Sequence, residues 1–360
     1  TQDSIRLRVL QRGAEELLEL ASPIARAHGA ATLAELSGLA TVHGAALRGV
    51  AFHAVGEAVL SHFEPPKSPI RAAILPDQAV WTSMPVRIDL AGGWTDTPPI
   101  CNEIGGSVVN VAVMLRGQLP IQVVAKLEEP TKGAAPVIRI TSTDLGQTRE
   151  IRTMADLAQR SDPTRWSALA ESALVLAGIV PSDPKASLAN WLETLGGGLS
   201  LTIFSAVPKG SGLGTSSILG AAAIHCLDRV LGRARSQQEL FAASSALEQM
   251  LSTRGGWQDQ VGGVVGGFKI ARTQPGTTQQ PSVESIAVPA PFLHELHARS
   301  LLYFTGERRM AKNILENVVW NWLVHEPRAV KAVERLRTNA ERMRNALATG
   351  DIDATIGELT

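Results

Sequence analysis

The stretch VPKGSGLGTSS at 207–217 constrains this chain most. Gly210, Gly212 and Gly214 alternate with other residues between a β-branched run, LSLTIFSAV (199–207), and a strong helical pattern at 215–231. Glycine lets a backbone turn sharply and approach a ligand closely. The start of a helix adds N–H groups without intrahelical partners and a partial positive charge. A strand, a glycine loop and a helix in this order build an anion site suited to phosphates. Thr215, Ser216 and Ser217 bring hydroxyls that suit a phosphate oxygen or a hydrated Mg²⁺. A Walker A loop would need a Lys that is missing here, and a dinucleotide fingerprint would need glycine where Thr215 stands. The competing reading is a tight turn without a ligand.

Two acidic segments accompany the loop. GGWQDQ (255–260) lies in a second glycine-rich stretch, read here as a loop, and places Asp259 shortly after Trp257. A carboxylate there can take a proton from a hydroxyl or hold it in line for attack. Glu248 lies eleven residues earlier on the helical pattern 236–252, and suits Mg²⁺ bound beside substrate phosphates. The other segment, PVRIDLAGGWTDTPP (85–99), carries Arg87 and Asp89 on a strand, then Trp94, Thr95 and Asp96. Aromatic faces and carboxylates together hold sugars, although a turn capped by Asp96 explains the same residues. His294 and His297 have no third ligand near them in sequence and are read as ordinary surface or core residues.

Around these motifs, strand and helix patterns mix throughout, an α/β or α+β class. Residues 1–63 read as helices with little polar chemistry, and EPPKSP (64–69) breaks them from the strands that follow. RSLLYFTG (299–306) reads as a short buried strand, and 308–349 as helical. Lys plus Arg is 34 and Asp plus Glu is 34, so the neutral chain lacks the basic field of a nucleic-acid or membrane-surface binder. Two cysteines exclude a disulfide scaffold and a cysteine zinc site.

Taken together, PKGSGLGTSS, VRIDLAGGWTDTPP, GGWQDQ, TSTDLG (141–146) and LLYFTGERRMAKNIL (301–315) resemble the GHMP small-molecule kinases, in the form used by L-fucokinases. The likeness runs over about residues 76–350. It implies an α+β fold of two lobes, one like ribosomal protein S5 domain 2 and one ferredoxin-like. The implied divisions are a helical extension at 1–70, a first lobe at 71–235 and an incomplete second lobe at 236–360. The implied chemistry is ATP- and Mg²⁺-dependent phosphorylation of the anomeric hydroxyl of L-fucose in the cytoplasm. By motif position, Lys209, Gly210, Ser211, Gly212, Leu213, Gly214, Thr215 and Ser216 would cradle the phosphates. Ser216 and Glu248 would hold Mg²⁺, and Asp259 with Arg87 would act on the hydroxyl. Trp94, Asp96, Trp257, Tyr303, Thr305 and Arg309 would lie at the sugar. Related heptose kinases tend to have GGGTD where this chain has Gly92-Gly93-Trp94-Thr95-Asp96. The family's GAGGGG motif has no counterpart in these residues, which keeps a non-catalytic binding module as an alternative. The helical segment resembles the linker that joins such kinases to a preceding nucleotidyltransferase. A dinucleotide-dependent oxidoreductase fits least, because no acid stands at the ribose-binding distance after the loop.

Overall fold

The computed structural model describes residues 2–61, 63, 71–129, 133–181, 183–251, 255–306 and 311–359. Three N-terminal helices come first: α1 (Gln2–Leu18), α2 (Pro23–Ser37) and α3 (Val42–Leu60). Ser22 and Thr41 cap α2 and α3, each accepting a backbone N–H three residues on. Their Ala-rich facing sides let the helices lie close: Ala27, Ala30, Ala31, Ala34, Ala51 and Ala54 are all buried.

The run 79–91 is rich in apolar and β-branched residues, yet it does not form one strand. Pro85 ends β1 (Ala79–Met84) and β2 (Val86–Ala91) begins directly after it, in a different sheet. Proline has no N–H to give a ladder, so the ladder breaks there. The next elements are α4 (Ile100–Ile104), β3 (Ser107–Val113), β4 (Ile121–Glu128), β5 (Ile138–Ser142) and β6 (Gln147–Ile151). Then come α5 (Ala168–Ala177), α6 (Leu188–Leu195), β7 (Gly198–Ser205), α7 (Thr215–Val230) and α8 (Gln237–Met250). The chain continues through α9 (Gln258–Val264), β8 (Phe268–Arg272), β9 (Ser282–Ser285), α10 (Ala290–Arg299), α11 (Ala311–Leu323), α12 (Pro327–Thr349) and α13 (Ile352–Leu359).

Sheet one has the order β1-β4-β7-β5-β6 and is antiparallel except between β5 and β7. Its apolar face packs on α5, α7 and α8 in the largest core, which includes Ile121, Val123, Ile140, Leu201, Leu174, Ile224 and Leu247. Each such side chain contributes about 1.5–3 kcal/mol on burial. Sheet two, β2-β3-β8-β9, is fully antiparallel and joins strands from both sides of residue 235. A bulge between Asp89 and Ala91 turns β2 over. Before it, Asp89 pairs with Asn110; after it, Ala91 packs with Val109, Ile270 and Met343 against α12.

The segment 301–306 is not the buried strand its sequence predicts. It is irregular and exposed, with Leu301 at 89% and Tyr303 at 78% exposure. No strand among the described residues pairs with it, and an apolar run without a partner edge has no ladder to join. The helical reading of 308–349 holds for α11 and α12, which Pro327 separates as the first residue of α12. Among the described residues no helix is long and apolar enough to cross a membrane.

Among the polar ties between the helical layer and the rest, one centres on His28. His28 of α2 places Nε2 2.5 Å from Glu103 Oε1 of α4 and Nδ1 2.8 Å from the Leu323 carbonyl. Trp322 Nε1 donates to the other Glu103 oxygen at 2.7 Å. Burial works against the His28 charge, but Glu103 outweighs it and raises its pKa; that of Glu103 is lowered in turn, against its own burial. The His28 contribution is complete below about pH 6.5 and is lost as pH rises through the raised value. The Glu103 contribution is complete above about pH 4.3 and is lost as pH falls. Glu103→Ala is therefore expected to destabilise the protein by about 2–3 kcal/mol, most strongly between about pH 5 and 6.5. Urea unfolding at pH 6 and pH 8.5 reads this; an equal loss at both would remove His28 from the junction.

Candidate active site

The phosphate loop has the backbone its glycines suggest. Gly210, Gly212 and Gly214 adopt φ of 81°, 80° and 72°, where a side chain is strained. Gly214 has a second reason to be glycine. A Cβ there would stand 3.2 Å from the Asp259 carboxyl carbon and 3.3 Å from Arg87 Cγ. Gly214 caps α7, so the first N–H groups of the helix face the loop. Ser211 and Thr215 hydroxyls lie 3.3 Å apart across it. Lys209 is exposed and donates to the Pro163 carbonyl at 3.2 Å.

Arg87 joins this loop to α9. Its Nε donates to Asp259 Oδ1 at 2.8 Å, a second nitrogen makes a still shorter contact to the same oxygen, and Nη1 donates to the Gly212 carbonyl at 2.7 Å. Although burial opposes its charge, Asp259 and Asp89 hold the guanidinium firmly protonated. Asp259 sits on the first turn of α9, not on the loop its glycine-rich surroundings predict. The glycines are there for contact: a Cβ at Gly262 would lie 2.6 Å from Arg87 carbons, and one at Gly263 would lie 2.6 Å from Ile218. They let α9 press onto β2 and α7 and bring Asp259 to the loop.

Glu248 of α8 is buried and reaches the same place, but through an unexpected hydroxyl. Ser217 Oγ donates to Glu248 Oε1 at 2.5 Å and lies 3.4 Å from Asp259 Oδ2. Ser216, the motif's expected metal ligand, is half-buried one residue earlier. The donor set is hard oxygen throughout: a carboxylate and hydroxyls at a helix N-terminus beside a phosphate loop. This fits Mg²⁺ held largely by nucleotide phosphates, with one protein carboxylate. Among the described residues no three His, Cys, Asp or Glu side chains form a metal cage.

The loop after β2 closes the other side. Thr95 Oγ1 donates to the Gly92 carbonyl at 2.6 Å and accepts the Ser107 N–H at 3.0 Å, which knits the turn to β3. Trp94 is half-buried at φ 76°, a strained backbone for a bulky residue. Asp96 is buried and accepts the Gln258 N–H at 3.0 Å and the Gln258 side-chain amide at 3.3 Å. Burial pushes its carboxyl up to about 7, with Gln258 opposing and the Asp259 and Asp89 charges adding. Burial likewise lifts Asp89 to about 6 against the pull of Arg87.

Trp94 and Asp96 thus border the same region as Arg87 and Asp259. Of the other residues expected at the sugar, Thr305 is exposed. Trp257 is 3% exposed and packs with Cys101, Val108, Phe241 and Val261, so its ring lies in the core. Tyr303 stands out in the exposed segment, and Arg309 lies outside the described residues. Asp89 and Gln258 lie at the same place without a role expected from sequence, and Ser217, one of three hydroxyls read there, is the one that meets Glu248. The signal available for Asp89 was its place two residues from Arg87 on one strand face.

Comparison with known proteins agrees with this geometry. The GHMP kinases N terminal domain family matches residues 184–267. That match spans β7, the phosphate loop, α7, α8 and α9, so the chain carries a GHMP kinase N-terminal domain over these elements. The chain is 37% identical over 304 residues to the L-fucokinase/L-fucose-1-P guanylyltransferase of Bacteroides fragilis, covering 83% of this chain and 31% of that protein. It is 34% identical over 273 residues to the bifunctional fucokinase/GDP-fucose pyrophosphorylase of Arabidopsis thaliana, covering 75% and 24%. The chain thus spans under a third of either relative. A D-glycero-alpha-D-manno-heptose 7-phosphate kinase of Campylobacter jejuni is 26% identical, covering 76% of this chain and 73% of that one. The fold matches a D-glycero-D-manno-heptose 1-phosphate kinase of Bacteroides thetaiotaomicron (TM-score 0.55, 20% identity, 78% and 76% covered). It also matches the galactokinase of Lactococcus lactis (TM-score 0.50, 17% identity, 79% and 73% covered).

Ser217→Ala should destabilise the free protein by about 1.5–3 kcal/mol, because it removes a buried hydrogen bond to a carboxylate. Ser216→Ala should cost less than about 0.5 kcal/mol. Chemical denaturation of both variants decides; the reverse order would place Ser216 on Glu248.

Proposed function

We propose that this chain phosphorylates the anomeric hydroxyl of L-fucose with ATP. The observation that carries the reading is the position of Arg87. One side chain holds the phosphate loop through the Gly212 carbonyl and holds Asp259, whose neighbour Gln258 holds Asp96 of the sugar loop. A phosphoryl donor on the loop and a hydroxyl at Asp96 would then meet at Asp259.

Phosphoryl transfer asks for positioning and charge neutralisation more than for covalent catalysis. The loop from Lys209 to Ser216 would bind the nucleotide phosphates through backbone N–H groups. Glu248 and the hydroxyls at the start of α7 would hold Mg²⁺, which neutralises charge on the phosphates when bound. Asp259 would accept a hydrogen bond from the sugar hydroxyl and take its proton as the hydroxyl oxygen bonds to the γ-phosphorus and ADP leaves. Arg87 keeps Asp259 oriented for that step.

Charge favours an unphosphorylated sugar over a heptose phosphate. Among the described residues, the charges acting on Asp96 are those of Asp259 and Asp89, and the cation beside them, Arg87, is committed to Asp259. Among the described residues these three carboxyl groups leave no uncommitted cation there for a second phosphate, and they suit neutral hydroxyls. The 37% and 34% identities to proteins named as fucokinases support the same choice.

ADP release is expected with L-fucose, ATP and Mg²⁺, and none with heptose phosphates. Turnover of a heptose phosphate without fucose would overturn the assignment. Asp259→Asn should lower kcat by about 10²–10⁴-fold while ATP binding by calorimetry is kept. Unchanged turnover would remove Asp259 from the reaction.

A further inference from the structure

Gln258 occupies the point where the three carboxylates converge. Its backbone N–H and side-chain amide both donate to Asp96, at 3.0 and 3.3 Å. The same side chain also bonds Asp89, and the Gln258 carbonyl accepts Asn110 Nδ2 of β3 at 3.3 Å. Gly93 closes over this contact: a Cβ there would fall 2.0 Å from Asp89 Oδ2 and 3.4 Å from Gln258 Nε2. Asp89 Oδ1 and Gln258 Oε1 are buried and have no hydrogen-bond partner among the described residues.

The charges around Asp96 leave it dependent on neutral donors. From β2 it faces Asp89 and Arg87, and from α9 it faces Asp259. From α4 it faces Cys101, a thiol that burial keeps protonated. The one guanidinium is taken by Asp259. Without the Gln258 amide, Asp96 would keep a single N–H donor from that residue while two carboxylates still favour its protonation. A protonated Asp96 offers a sugar hydroxyl a donor where the ionised form offers two acceptors.

We propose that Gln258 is a positioning residue for sugar recognition, whose side-chain amide favours the carboxylate form of Asp96 and fixes it against Asp89. This rests on the reading of Asp96 as a sugar ligand. The amide links the sugar loop to the turn that carries Asp259, so the acid that binds the hydroxyl and the acid that takes its proton are set by neighbouring residues. It explains why the bond to Asp96 is made by both the backbone and the side chain of one residue.

The test uses Gln258→Met, which keeps the length of the side chain and removes its donors. Two readouts are needed: kcat/KM for the sugar against pH, and the titration of the Asp96 carboxyl carbon by NMR in the free protein. Gln258→Met is expected to move the acidic limb and the Asp96 titration up by about one pH unit, with kcat/KM approaching wild type at high pH. Asp89→Asn should move both down, since a like charge is lost. A kcat/KM lowered equally at every pH, with the Asp96 titration unmoved, would overturn the proposal and leave Gln258 a packing residue. The NMR titration needs no substrate. If fucose is not turned over while Asp96 still shifts, the substrate assignment fails and the effect of Gln258 on Asp96 stands.

Discussion

The ion pair between Arg87 and Asp259 is the contact on which the site depends. It joins residues 172 positions apart, one on β2 and one on α9, and its third arm reaches the phosphate loop. A buried pair is weak evidence for stability, because desolvation offsets much of its attraction. Its value here is geometric. The fork of the guanidinium fixes three backbone segments relative to one another, and Gly214 and Gly262 exist as glycines because those segments come so close. The close approach and the charge pairing require each other.

The opposite face of the site obeys a different constraint. Asp89, Asp96 and Asp259 crowd three carboxyl groups together, and among the described residues Arg87 is the cation beside them, so neutral donors take over. The bulge in β2 makes this possible by presenting Asp89 toward α9 while sending Ala91 into the core beneath α12. One inserted residue separates a polar strand face from an apolar one.

Much of this was legible in the sequence, for identifiable reasons. The phosphate loop could be read because three alternating glycines before a helix have few other uses. Arg87 and Asp259 could be read because their motifs resemble a known family. Ser217 could not: three hydroxyls stand in a row at 215–217, and each helical residue turns about 100° from the last, so only the placed helix selects one. Helix α9 was hidden because its glycines resemble a loop until the Arg87 and Ile218 contacts are seen. Strand β6, QTREI, was missed because an edge strand carrying mostly polar residues has little apolar alternation. Trp257 and the segment 301–306 misled in opposite directions. An aromatic beside the Asp259 segment lies in the core, and an apolar run lies at the surface.

The break at Pro85 has a positional meaning. One residue separates the last position of the first sheet from the first position of the second, and Arg87 follows two residues later. The guanidinium therefore stands at the seam of the two sheets along the chain. From there it reaches the loop after β7 of sheet one and the start of α9 at once.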